Sequence, residues 1–150
     1  MTMIRPMRWW DIAQVQALEE QLFPVDRWSA EQFWSELAQS TRRYVVACDD
    51  DAITGYAGVF ILPPDADVQT IAVSPAAQGH GLGARLLEQL IGLAADAGCQ
   101  QLILEVRSDN ASAIGLYERF GFERISSRKD YYAPNVDALI MRLRPLRGTR

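Results

Sequence analysis

The sequence predicts a domain of the α/β (α+β) class, with a central mixed, mostly antiparallel sheet flanked by helices. Three observations lead there. Helical patterns come early, hairpin-like strand pairs occupy the middle, and the second half alternates strand–helix–strand–helix–strand. The middle strands are joined by turns too short for helical crossovers, which excludes a fully parallel doubly wound sheet. Finally, 150 residues, 49% of them hydrophobic and 23% charged, suffice for one core, and no repeat or low-complexity linker divides them. Residues 1–150 are therefore read as a single domain.

A short strand around Met3 to Met7 opens the chain, and a helix from about Trp10 to Leu22 follows, stopped by Pro24. Ser29 with Gln32 three residues later is a capping-box pattern that starts a second helix, running to about Gln39. Arg43 to Cys48 reads as a strand, Asp49-Asp50-Asp51 as a hairpin turn, and Ile53 to Leu62 as the returning strand. Within it, Gly55 and Gly58 allow a bulge or a close approach, and Pro63-Pro64-Asp65 ends it. Asp67 to Val73 is the next strand. From Gly81 the period turns helical, with Leu82, Leu86, Leu90, Ala94 and Ala97 on one stripe, and Gly98 ends that helix. Gln101 to Arg107 is a strand, about Asn110 to Phe120 a helix stopped by Gly121, and Phe122 to Arg128 and Ala138 to Leu143 are the final strands.

Net charge is −4 and the pI about 5.0, which argues against a protein that grips the phosphate backbone of a nucleic acid. Arg142, Arg144, Arg147 and Arg150 at the end read as a solvated tail. No apolar run is long enough for a membrane span, and Met1 to Trp10 lacks the apolar centre of a signal peptide. Cys48 and Cys99 form neither a disulfide framework nor a metal-type pair, so the expected compartment is the reducing cytoplasm and no metal is expected.

The chemistry concentrates at Gln78-Gly79-His80-Gly81-Leu82-Gly83, which joins the apolar strand end Ile71-Ala72-Val73 to a helix. Glycines at a helix start let an anion approach free backbone N–H groups at the positive end of the helix. A Walker loop requires Lys followed by Ser or Thr after its last glycine, whereas Gly83 is followed by Ala84-Arg85. A dinucleotide fingerprint starting at Gly79 survives formally, with Ala84 in the last place, but the surrounding meander is not a βαβ unit. By itself the turn is equally a plain tight turn before a helix.

Strand alternation in Gln101 to Arg107 puts Leu102, Leu104 and Val106 on one face and Gln101, Ile103, Glu105 and Arg107 on the other. Burial there would raise the pKa of Glu105 toward that of a useful base; an ion pair with Arg107 is the plainer alternative. Tyr117 shares a helix stripe with Ala113, Leu116 and Phe120, as a core tyrosine would, and Asn110 is placed to cap that helix. His80, the single histidine, reads as a solvated turn residue, and the cysteines as packed thiols.

Gln78-x-x-Gly81-x-Gly83 resembles the Gln/Arg-x-x-Gly-x-Gly/Ala signature of the GNAT superfamily of acetyl-CoA-dependent N-acetyltransferases. More narrowly, Ile71-Ala72-Val73, Leu104-Glu105-Val106-Arg107, Asn110-x-x-Ala113-Ile114-x-Leu116-Tyr117, Gly121-Phe122, Tyr131-Tyr132 and Asp137-Ala138-Leu139-Ile140-Met141 resemble the bacterial ribosomal-protein alanine N-acetyltransferases. The likeness is densest from about Thr70 to Phe122.

The resemblance implies acetyl-CoA as co-substrate, held by Ile71, Ala72, Val73, Gln78, Gly79, His80, Gly81, Leu82, Gly83, Ala84 and Asn110, the last reaching the pantetheine arm, a role compatible with the local one if Asp109 caps the helix instead. It implies Glu105 as general base, acting directly or through water, and Tyr117 as the acid for the CoA thiolate, in direct ternary-complex transfer without an acetyl-cysteine. Tyr131 and Tyr132, on a loop, and Trp28 opposite would position the acceptor. The acceptor implied is a protein N-terminus, the alanine of the eighteenth small-subunit ribosomal protein; partnership with proteins of tRNA threonylcarbamoylation is a further family-level possibility that no motif in the chain reports. Two other readings stay open: a GNAT enzyme for a small amine, and a non-catalytic acyl-CoA-binding regulatory domain.

Overall fold

Short turns decide the first half of the sheet and helical crossovers the second. The computed structural model describes residues 2–146, so Arg147 and Arg150 of the expected basic tail lie outside the described residues. In chain order the elements are β1 (Thr2–Pro6), α1 (Ile12–Leu22), α2 (Ala30–Leu37), β2 (Arg42–Asp49), β3 (Ala52–Leu62), β4 (Asp65–Val73), α3 (Leu82–Asp96), β5 (Gln101–Arg107), α4 (Ala111–Arg119), β6 (Glu123–Ala133) and β7 (Val136–Leu143). Single 3-10 turns at Trp9–Asp11 and Pro75–Ala77 precede α1 and α3. The strands form one seven-stranded sheet in the order β1-β2-β3-β4-β5-β7-β6, antiparallel throughout except between β4 and β5. The mixed, mostly antiparallel sheet flanked by helices that the pattern predicts is thus present.

Alternation along the strands feeds two cores, one on each face. Val45 and Ala47 of β2 meet Leu82, Leu86, Leu90 and Ala94 of α3, together with Leu102, Leu104 and Val106 of β5. Tyr44, Val46 and Cys48 point the other way, against Val15 and Leu18 of α1 and Phe33 of α2. Each fully buried leucine contributes about 2 kcal/mol of transfer free energy, which makes α3 a main support of the fold. Ala97, expected on the stripe of α3, lies beyond its last turn and is exposed. Both cysteines are buried thiols, as expected of packed residues.

Local signals hold α2 in place. Ser29 and Gln32 form the reciprocal capping box, with bonds of 3.1 and 2.7 Å. At Gly58 an added Cβ would fall 2.1 Å from the ring of Tyr44, so a side chain there is excluded and the ring crosses the β3 backbone. Tyr44 then donates to Glu36 of α2 at 2.7 Å.

The feature that shapes the site is the parallel pair. β4 and β5 are in register only at Asp65–Gln101, Ala66–Leu102 and Asp67–Ile103. Just beyond, Gly58 and Val59 of β3 oppose Thr70 and Val68, so Gln69 is an extra residue, a bulge that bends β4. Past that point the two strands separate, and their C-terminal halves border a wedge that opens toward the starts of α3 and α4. Among the described residues no helix is long and apolar enough to cross a membrane.

Candidate active site

The turn into α3 is built as a cradle of amides. Gly79 and Gly81 have φ of +81° and +80°, the left-handed region that favours glycine. A Cβ added at either would meet nothing within 4 Å, so open space lies before the backbone. The first intrahelical bond runs from Arg85 N–H to Gly81 O. Among the described residues no acceptor takes the N–H groups of residues 79 to 84, which are the orphan donors of a helix start. Gln78 anchors the turn by donating from Nε2 to the Val73 carbonyl at 3.1 Å. At Gly83 an added Cβ would lie 3.6 Å from Leu116, so the small residue brings α4 close to α3.

These residues border a cleft of about 590 Å³. Of the residues expected to hold acetyl-CoA, Ile71, Val73, Gln78, Gly79, Gly81, Leu82, Gly83, Ala84 and Asn110 line it, and Tyr117 joins them from α4. Two do not. The side chain of Ala72 is buried in the opposite core, as alternation along β4 requires, which leaves only its backbone on this side. His80 is exposed and borders a neighbouring cavity with Thr2 and Arg85. The amide cradle, the open space before it and the helix dipole together suit a pyrophosphate, so the residues present fit acetyl-CoA.

Asn110 is the N-cap of α4: its Oδ1 accepts from Ala113 N–H at 3.1 Å. Asp109 does not take that role, because it forms a two-pronged bond with Arg107 at 3.0 and 3.1 Å. The cap uses the Asn110 oxygen and leaves its NH₂ group to donate. Tyr117 lies half-buried, its ring against Phe122 with centroids 5.8 Å apart. Burial pushes its hydroxyl above the usual tyrosine range, which keeps it protonated at neutral pH.

Glu105 departs from expectation. Its side chain is exposed, so the chain does not supply the burial expected to make it a base, and the Arg107 alternative also fails because Arg107 pairs with Asp109. The cause is the reach of the helices on that face: α1 and α2 cover β2, β3 and the end of β4, not β5. The partner of Glu105 is Tyr132, whose hydroxyl donates to Oε2 at 2.8 Å. Partial burial, and then that bond, push the Tyr132 hydroxyl well above the usual tyrosine range. Arg107 lies over the Tyr132 ring, 5.1 Å from its centroid.

Tyr131 and Tyr132 sit within β6, not on a loop; the register with β7 breaks between Arg128 and Ala133, with Asp130 at φ +54°. Their rings meet edge-on at 5.1 Å. Trp28 stands on the α1–α2 connection, its ring packed against Phe33 and Tyr44, and its backbone N–H donates to the buried Glu19 carboxylate at 2.9 Å. Glu19 also accepts from the Tyr56 hydroxyl. Sequence reasoning missed Ala77, Ser112 and Arg119 as cleft residues. For the last two the signal was available: Ser112, Leu116 and Arg119 fall at i, i+4 and i+7 of α4, one helical face.

Comparison with known proteins agrees with this geometry. The acetyltransferase (GNAT) family model matches residues 9–122. The N-alpha-acetyltransferase RimI of Mycobacterium tuberculosis is 41% identical over 138 residues, 88% of this chain and 85% of that protein. An uncharacterized protein of Mycobacterium leprae is 46% identical over 138 residues, 88% of this chain, and the chain spans only 38% of that longer protein. Among solved structures, the ribosomal-protein-S18-alanine N-acetyltransferase from Escherichia coli matches with a TM-score of 0.88 at 31% identity, covering 100% of this chain and 97% of that one. The glycine cradle, the separated strands and these relatives together make the chain a member of the GNAT acetyltransferase family, where it groups with the RimI-type proteins.

Proposed function

We propose that this protein transfers the acetyl group of acetyl-CoA to the N-terminal α-amino group of a protein, and that the acceptor is the N-terminal alanine of small-subunit ribosomal protein S18. The observation that carries the reading is the wedge between β4 and β5, with an amide cradle at the start of α3 and the Glu105–Tyr132 pair on β5 and β6. The RimI-type relatives supply the acceptor class.

Acetyl-CoA, when bound, provides the activated thioester. Gly79, Gly81 and the amides that follow would hold its pyrophosphate, and Asn110, with a free NH₂ group, would donate to the pantetheine arm. Glu105 takes the proton that the amine loses as its nitrogen bonds to the acetyl carbon, directly or through a water. Oε2 is fixed by Tyr132, and Oε1 has no partner among the described residues. Tyr117 gives its hydroxyl proton to the departing sulfur, a role suited to a tyrosine that burial keeps protonated. No covalent acetyl-enzyme is needed, since both thiols are buried in the cores. Tyr131, Tyr132 and Trp28 would orient the acceptor backbone.

Mass spectrometry after incubation with acetyl-CoA and a panel of peptides and small amines tests this directly. Acetylation of alanine-starting peptides at the α-amine is expected. Acetylation of amines alone would replace the protein acceptor with a small one, and CoA binding without turnover on any acceptor would leave a regulatory domain. Glu105→Gln and Tyr117→Phe should each lower kcat by about a hundredfold or more; near-wild-type turnover in both would remove the proposed acid–base pair.

A further inference from the structure

Arg119 carries the one charged side chain among the residues lining the cofactor cleft. It is the last residue of α4, exposed, and forms no ion pair among the described residues. Its guanidinium is drawn back along the helix: a Cβ added at Gly115 would lie 3.4 Å from Nη1. Gly115 therefore leaves room for the arginine to lie along α4 beside Ser112 and Leu116, the face that borders the cleft. The glycine turn offers amides to a pyrophosphate but no cation, and Arg85, in the first turn of α3, bonds the Thr2 carbonyl at 3.3 Å and borders the neighbouring cavity.

We infer that Arg119 binds the ribose 3′-phosphate of coenzyme A, so that this chain distinguishes CoA from its 3′-dephospho form. A dianionic phosphate at the cleft mouth would meet a planar, two-pronged donor that no carboxylate competes for. The inference rests on the acetyl-CoA reading above and adds the part of the molecule that the amide cradle leaves without a counter-charge.

Isothermal titration of the intact protein with CoA and with 3′-dephospho-CoA tests it without turnover. The wild type should bind CoA about three- to tenfold more tightly than the dephospho form, the range expected of an exposed charge-assisted contact. Arg119→Gln should abolish that preference while its affinity for 3′-dephospho-CoA stays that of the wild type. Arg85→Gln, an equal change of charge on the other side of the turn, should keep it. The inference is overturned if the wild type shows no preference, if Arg119→Gln keeps it, or if that variant weakens both ligands equally, which would assign the arginine to the pyrophosphate or to the end of α4. Failure of the wild type to bind either form would remove the acetyl-CoA reading itself.

Discussion

The two sides of the wedge are made of different materials. The proposed donor side, from Val73 to Ala84, presents backbone amides on a turn fixed by two left-handed glycines and a helix whose Leu86, Leu87 and Leu90 are fully buried. The acceptor side presents side chains: Tyr131 and Glu105 are exposed, and β6 is an edge strand with nearly every residue open to solvent. Charged residues along β6, among them Arg124, Arg128, Lys129 and Asp130, discourage strand addition at that edge. Backbone chemistry on a rigid element suits a ligand that never changes, while side chains on an edge can be exchanged without disturbing the core. On the proposed reading, the difference teaches that donor recognition is tied to the fold and acceptor recognition is not.

The sharpest way to break this contrast is to alter the backbone of the donor side. Gly81→Val forces a β-branched residue to φ +80° and puts its side chain into the open space before the amides. CoA affinity measured by calorimetry should fall on the order of a hundredfold. Gly98 offers a matched control, since it has φ +92° and equally open surroundings at the far end of α3. Gly98→Val should cost stability and leave CoA affinity alone. Equal losses of affinity in both variants would mean that strain, not the cradle, is being measured.

A smaller effect, confined to the other side, is expected from Tyr132→Phe. It removes the 2.8 Å bond to Glu105 and leaves the ring under Arg107. Turnover should fall about tenfold with the KM for acetyl-CoA unchanged. A rise in the KM for acetyl-CoA would place Tyr132 in donor binding and dissolve the division between the two sides.

How far each side was legible in the sequence follows the same division. The glycine turn, the capping box at Ser29 and Gln32, and the stripe of α3 are local patterns, and each stands where spacing put it, except that Ala97 falls past the last turn of α3. The exposure of Glu105 was not legible, because alternation names a face of β5 but not whether a helix covers it; that depends on α1 and α2 stopping at β4. Tyr131 and Tyr132 read as a loop beside Pro134, yet β6 runs through them to Ala133, past an irregularity between Arg128 and Ala133 that no spacing in the sequence announces. Helical spacing groups Arg119 with Ser112 and Leu116 on one face of α4, but that this face borders the cleft depends on the packing of α4 beside α3.

The smallest effect concerns how the acceptor side is tethered to the sheet. Asp11, only 2% exposed, opens α1, the helix that leads to the Trp28 connection. Its carboxylate accepts from Arg5 Nη1 and Nη2 of β1 at 2.7 and 2.8 Å, and from Arg8 N–H at 2.7 Å. The Arg5 bonds above all hold the Asp11 carboxyl below the usual carboxylate range. A depressed folded-state pKa gives stability that is complete above the unfolded value, about 3.9, and is lost as pH falls through the folded one. Asp11→Asn should therefore cost about 1 kcal/mol at pH 7, since Arg5 is partly exposed and keeps access to water. Urea midpoints should show the gap between wild type and variant narrowing as pH drops below about 4. CoA affinity should not change, because neither Arg5 nor Asp11 borders the cleft. If it did fall in step with stability, α1 and the amide cradle would be coupled through the sheet, and the donor side would depend on the tether of the acceptor side.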